Sequence, residues 1–329
     1  MSLKSQLKAV SPGGPTVVTV GTFDGVHLGH ARLLDATVEL ARETSATSVA
    51  ITFKHPPRVL LNPEFPAPHL CPLADRRSLI LARGIDHVIE VEFDESVRNI
   101  DADEFARVLM VELDMKGIVL GPGATVGRNR GGDESRMNAL SEQMGFTLRV
   151  VPPAIVNGNV VRSTAIRAIL SAGDVTSAAE MLGRTFSISG IVTEGDRRGR
   201  KLGFPTANIT PDPKGALPAD GIYATFVTLG TPDPRGASGG QNREGEDRHM
   251  AATNVGIRPT FDGGPRLIEA YLLDFEGDLY GRRITVEFVE RLREEVRFET
   301  VEALIDQMNI DVTDTRRILD AAGNKSGTR

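Results

Sequence analysis

Three stretches of this chain carry residues whose types and spacing suit phosphate chemistry. In VVTVGTFDGVHLGH (17–30) an apolar, β-branched run stops at Gly21, and His27 and His30 follow three residues apart. If Val17–Val20 is a buried strand and a helix starts near Leu28, both imidazoles stand at a helix N-terminus. Unsatisfied N–H groups and the positive end of the helix dipole meet there and stabilise an anion. Gly21, Gly25 and Gly29 remove side chains where a nucleotide and the backbone come close, with Thr22, Phe23 and Asp24 completing the loop. The stretch has no P-loop lysine, so it suits a triphosphate attacked at its α-phosphate, which is nucleotidyl transfer. Two histidines at i,i+3 also read as a zinc pair or as an inert capping pair. No second Cys or His cluster at ligand spacing supports zinc.

Further along, GRNRGGD (127–133) is a glycine-rich loop holding Asn129, Arg130 and Asp133. RSTAIR (162–167) sets Ser163, Thr164 and Arg167 at the start of another helix, again a phosphate-gripping terminus. Taken alone, each also reads as a cap or a solvated turn.

The third stretch is EGDRRGRKLGFPTANI (194–209). Gly195, Gly199 and Gly203 free the backbone to wrap phosphates, and Arg197, Arg198, Arg200 and Lys201 supply charge. A solvated basic turn or a nucleic-acid patch is the plainer reading. Against it stand Phe204-Pro205 and the pair Thr206 and Asn208, two apart. In an extended strand these two point to one side, where a hydroxyl and an amide oxygen can share one Mg²⁺. Downstream, Glu269 interrupts the strand pattern Leu267–Tyr271. A carboxylate rarely sits in such a strand without a task or a partner, unless it lies on the solvent face.

The elements that must position these residues follow from periodicity. Between 16 and 150, strands at 16–20, 48–53, 87–93, 117–120 and 147–151 alternate with helices near 28–43, 75–83, 101–113 and 135–144. That alternation predicts an α/β fold, a Rossmann-like parallel sheet with ligands at the strand C-termini. Two helices follow, 163–172 and 174–182, the second with Asp174 as N-cap. Near Gly183 the texture changes. Segments 185–195, 204–210, 221–230, 250–257, 266–274 and 283–290 read as strands of a small antiparallel β-barrel. A last helix spans about 300–319, with Val301, Leu304, Ile305 and Met308 at helical spacing. The polar stretch 231–248 reads as a disordered loop. The expected domains are 1–183 and 184–329.

At 329 residues, two domains are expected. No apolar run reaches the roughly 18 residues that span a bilayer, and the N-terminal residues have no signal core. The one cysteine, Cys71, excludes an internal disulfide framework and fits a reducing compartment. A net charge of −6 argues against nucleic acid as main partner. The expectation is a cytoplasmic protein with neither membrane nor nucleic-acid partners; oligomeric state has no signal in the sequence.

Taken in order, GTFDGVHLGH, TFKHPP, GRNRGGD, RSTAIR and LGFPTAN resemble the bacterial bifunctional riboflavin kinase/FMN adenylyltransferases, and the first is similar to the HxGH motif of nucleotidyltransferases. The resemblance covers nearly the whole chain, with LGFPTAN its strongest part. It implies that His27 and His30 contact ATP phosphates, that Gly21–Gly25 line the adenosine site, and that Ser163, Thr164 and Arg167 close over the triphosphate. It further implies that Thr206 and Asn208 bind Mg²⁺-ATP and that Glu269 takes the proton of the ribityl 5′-hydroxyl. Asn254, Arg258 and Arg293 are further candidates for flavin or nucleotide contacts; Arg293 also reads as surface salt-bridge decoration. The substrates implied are riboflavin, FMN and ATP. The chain departs from the family at 54–57, where His and Pro are transposed, and at 123–126, where aromatic residues are replaced by Gly-Ala-Thr-Val. The alternative is therefore a riboflavin kinase with a weak or inactive adenylyltransferase half, and a flavin-binding regulator without turnover is a third reading.

Overall fold

The computed structural model describes residues 2–55, 68–195, 199, 202–230, 247–257 and 266–326. Packing divides the chain into two compact units, Met1–Ser163 and Thr164–Arg329.

In the first unit five parallel strands, β1 (Thr16–Val20), β2 (Thr47–Phe53), β3 (His87–Val91), β4 (Met115–Leu120) and β5 (Thr147–Val150), form a sheet in the order β3-β2-β1-β4-β5. The helices are α1 (Leu3–Lys8), α2 (Leu28–Glu43), α3 (Leu73–Leu81), α4 (Glu95–Arg98), α5 (Ala102–Leu113) and α6 (Glu134–Met144). The strands are apolar on both faces because helices cover both. Val18, Val49 and Ile51 pack with Leu109 and Leu140; Val17 and Ala50 pack with Leu34 and Ile80 on the opposite face. Strand order reverses between β1 and β4, and ligands of such sheets bind beyond the carboxyl ends at that point. The short α1, α4 and the hairpin β6 (Ile155–Val156) and β7 (Asn159–Val160) were not expected. Each is too short to show a period; α1 buries only Leu3 and Leu7.

The second unit begins within α7 (Ser163–Ser171) and continues through α8 (Val175–Leu182). Asp174 caps α8, its Oδ1 accepting from Ser177 N at 2.9 Å. Packing thus divides earlier than the sequence texture changes, because α8 lies on the barrel: Thr176 Oγ1 donates to Val289 O at 3.3 Å. The barrel strands are β8 (Phe186–Thr193), β9 (Ala207–Thr210), β10 (Gly221–Leu229), β11 (Arg248–Ile257), β12 (Arg266–Leu272) and β13 (Arg283–Arg293), closed in the order β10-β11-β12-β9-β8-β13. Ile268, Ala270, Val255 and Ile209 alternate inward and are buried. Outside, α9 (Val301–Ser326) covers Ala224 and Phe226 with Ile318 and Leu319. Val301, expected on the apolar face of this helix, is exposed. Of the stretch 231–248, residues 231–246 lie outside the described residues.

Candidate active sites

The first site lies in the loop that follows β1. Gly21 N still donates to Ile51 O of β2 at 3.0 Å. The chain then turns through left-handed conformations at Phe23 (φ 46°), Gly25 (φ 80°) and Val26 (φ 38°), a strained choice for β-branched valine. Tertiary bonds hold it there. Asp24 Oδ1 accepts from Leu70 N at 2.8 Å, Ser163 Oγ donates to Asp24 O at 2.9 Å, and Thr52 Oγ1 donates to Thr22 O at 3.2 Å.

The loop delivers His27 to the N-cap of α2, where its Nδ1 accepts from His30 N at 3.3 Å. A neutral His27 therefore carries its proton on Nε2. The two imidazoles stack with centroids 3.7 Å apart and an interplanar angle of 14°. Gly29 serves this stack, since a Cβ there would press on His27 Nδ1 at 3.1 Å. No acidic residue occupies the first turn of α2, so its positive end stays available to an anion. His30 is half-buried, with its ring 5.3 Å edge-to-face from Phe23 and its Nδ1 without a partner among the described residues. Burial, then the neighbouring His27 and Arg76 charges, hold the His30 imidazole well below its usual range, so it is neutral at pH 7.

Other expected residues fall differently. Phe23 is fully buried, so it shapes the loop and offers a ligand no surface. Ser163 is engaged with the β1 loop. Asn129 is exposed in the left-handed turn (φ 56°) after β4. Thr164, exposed, and Arg167, half-buried, belong to the second unit. At the departures from the family, Ala124 and Val126 pack against the core, and Pro56-Pro57 lies outside the described residues. Sequence reading missed Arg76, which is 3% exposed with Nη1 donating to Phe53 O at 3.1 Å. Beside Arg77 on a helix it has the look of a solvated face.

The second site is a belt on the outer wall of the barrel. Register aligns Asn208 of β9 with Glu269 of β12, Glu269 with Asn254 of β11, Asn254 with Ile222 of β10, and Ile222 with Arg293 of β13. Register partners share a face, so the row lines one cavity of about 850 Å³ between the barrel wall and α9. Leu304, Met308, Asp311 and Val312 form its helical side. Asn254 Oδ1 is buried without a partner among the described residues. Glu269 is half-buried on this outer face, so it points into the cavity and away from the barrel core.

Arg293 is not surface decoration. Its Nε and Nη2 donate to Asp311 Oδ1 and Oδ2 at 2.9 and 2.7 Å, and Gln307 Nε2 also donates to Asp311 at 3.0 Å. The pair clamps α9 to the barrel at the cavity's edge.

A second cavity, about 470 Å³, is bordered by Gly195, Pro205, Phe275 and Tyr280. Thr206 and Asn208 line both cavities. Phe204 faces the larger one, edge-to-face with Tyr271 at 5.3 Å. A Cβ at Gly195 would overlap the Asn208 amide, and one at Gly199 would overlap Phe204 O. The two glycines thus bring backbone against the Thr206–Asn208 strand. Lys201, Arg197, Arg198, Arg200 and Arg258 lie outside the described residues.

A parallel α/β unit with an anion-ready helix start, joined to a barrel whose two cavities meet at a hydroxyl and an amide, defines a nucleotide-using transferase. Comparison with known proteins narrows the class. The FAD synthetase family model matches residues 11–165 and the riboflavin kinase family model residues 182–319. A bifunctional riboflavin kinase/FMN adenylyltransferase of Pseudomonas fluorescens is 36% identical over 304 residues, covering 92% of each chain. Its counterpart from Escherichia coli (strain K12) is 32% identical over 302 residues, with the same coverage. A solved structure described as a macrolide-efflux protein from Streptococcus pneumoniae matches with a TM-score of 0.84 at 28% identity, covering 96% of this chain and 98% of that one. Among the described residues no helix is long and apolar enough to cross a membrane. The chain belongs to the bifunctional riboflavin kinase/FMN adenylyltransferase family, with the FAD synthetase domain first and the riboflavin kinase domain second.

Proposed function

We propose that residues 184–329 convert riboflavin to FMN and residues 1–183 convert FMN to FAD, each with ATP. The supporting observation in the barrel is the meeting of two cavities at Thr206 and Asn208, with Glu269 beside Asn208 in register. Riboflavin fills the larger cavity and ATP the smaller. Glu269 takes the proton of the ribityl 5′-hydroxyl as that oxygen bonds to the γ-phosphorus; the bond to the β,γ-bridging oxygen breaks and ADP leaves. Asn254 Oδ1 is placed to accept from a ribityl hydroxyl. Thr206 and Asn208 offer neutral, hard oxygens beside glycine backbone, a donor set that would suit Mg²⁺. Bound there, the ion would supply positive charge against the phosphates. Arg293 acts through Asp311, holding α9 as the cavity wall.

In the first unit the FMN phosphate attacks the α-phosphorus of ATP, the bond to the α,β-bridging oxygen breaks, and pyrophosphate leaves. His27 Nε2–H and the first amides of α2 donate to phosphate oxygens, so catalysis is positioning and charge stabilisation. Gly21, Thr22 and Gly25 line the nucleotide, with Phe23 and Asp24 shaping the loop. Asn129, Thr164 and Arg167 are assigned to substrate by family resemblance alone. The single buried cysteine supports a cytoplasmic setting.

Incubation with riboflavin, ATP and Mg²⁺, followed by chromatography of the flavins, tests the whole reading. FAD is the expected product. FMN alone would confine activity to the barrel, and unchanged riboflavin would make the chain a binding protein.

A further inference from the structure

Among the described residues Arg76 is the sole buried arginine or lysine. A guanidinium cannot shed its charge, and a buried charge is costly unless matched. Yet among the described residues Nη1 donates only to the neutral Phe53 O, Nε has no partner, and no carboxylate forms an ion pair with it. This side chain reaches from α3 to the carboxyl end of β2, the strand beside β1. The same neighbourhood is tied to the β1 loop by Thr52 on Thr22 O and by Leu70 N on Asp24, the latter just before α3. Its charge is among the causes that keep His30 neutral, so Arg76 acts as a permanent positive charge on the His27–His30 stack.

We propose that Arg76 is a phosphate-binding residue of the adenylyltransferase site, its charge matched by a phosphate oxygen of ATP or FMN when substrate enters. This rests on the assignment of adenylyl transfer to the His27–His30 site. A planar guanidinium suits a phosphate, which accepts two parallel N–H bonds.

The full chain carrying Arg76→Met or Arg76→Lys tests this, with FAD formation measured at varied ATP and varied FMN, and thermal unfolding measured with each compound. In Arg76→Met, KM for one of the two rises about 10- to 100-fold, the worth of one or two charge-assisted hydrogen bonds, and stabilisation of the first unit by that compound weakens. The compound affected identifies which phosphate Arg76 meets. Arg76→Lys recovers part of the loss, and FMN production by the barrel stays at the wild-type rate in both. Wild-type KM values in both variants overturn the proposal, as does a lower ligand-free midpoint with unchanged KM values, which marks a structural arginine. If Arg76→Met does not fold, Arg76→Lys decides alone on the same criterion. His30→Ala is measured alongside: FAD formation that survives it removes the His27–His30 assignment itself, whatever Arg76 does.

Discussion

The two sites of this enzyme are built in opposite ways. The proposed adenylyltransferase site centres on one contiguous loop and helix start, 21–30, where a cap, a stacked histidine pair and a helix dipole end arise within ten residues of chain. The proposed kinase site is a row of side chains from five strands, Asn208, Glu269, Asn254, Ile222 and Arg293, which only strand register brings together. A local site draws its electrostatics from backbone geometry. A registered site draws it from sheet pairing, so distant changes that shift a strand or its covering helix reach the chemistry.

The largest expected effect separates the sites outright. Glu269→Gln should lower FMN formation by about 10²–10⁴-fold, the range for a positioned base, while FMN adenylylation stays intact; a normal kinase rate would remove Glu269 from the mechanism. Next is the clamp. Asp311→Ala leaves Arg293 half-buried without its partner, which costs about 3 kcal/mol. The loss is read as a lower denaturant midpoint of the barrel and a weaker riboflavin KM, with adenylyl transfer spared. If both activities fall together, the sites are not independent.

Gly195→Ala sharpens the comparison at the junction of the cavities. Its methyl displaces the Asn208 amide, and a misplacement of about 1 Å is worth roughly 100-fold in rate. Kinase assays on this variant should show that loss while FAD formation from FMN continues. The smallest effect belongs to the local site. Burial and the charges of His27 and Arg76 lower the His30 pKa, so below about pH 6.5 the unfolded chain binds a proton that the folded chain refuses. Stability of the first unit should fall with pH from that point, by up to about 1.4 kcal/mol per unit from this group. Urea midpoints at pH 7 and 5.5 should differ less in His30→Gln than in the wild type; equal slopes would exclude His30 as the titrating group.

Much of the fold was legible because its periods are long enough to read. Strands β1 to β5 and helices α2, α5 and α6 lie within one or two residues of the expected positions. The extension of β13 to Arg293 was not seen, because Arg291, Arg293 and Glu294 read as a charged surface run. Burial of Arg76 escaped for the same reason: charge in sequence implies solvent, and only packing reverses that.

By itself the sequence determined the elements and the His27–His30 cap, since both depend on interactions within a few residues. It also determined the Thr206–Asn208 spacing, since strand geometry alternates sides every residue. Tertiary structure alone decided that Glu269 faces a cavity outside the barrel, that Arg293 pairs with Asp311, and that Arg76 keeps a buried charge with no carboxylate partner among the described residues. Those three depend on strand register, on a covering helix and on desolvation, and each joins residues with no fixed separation along the chain.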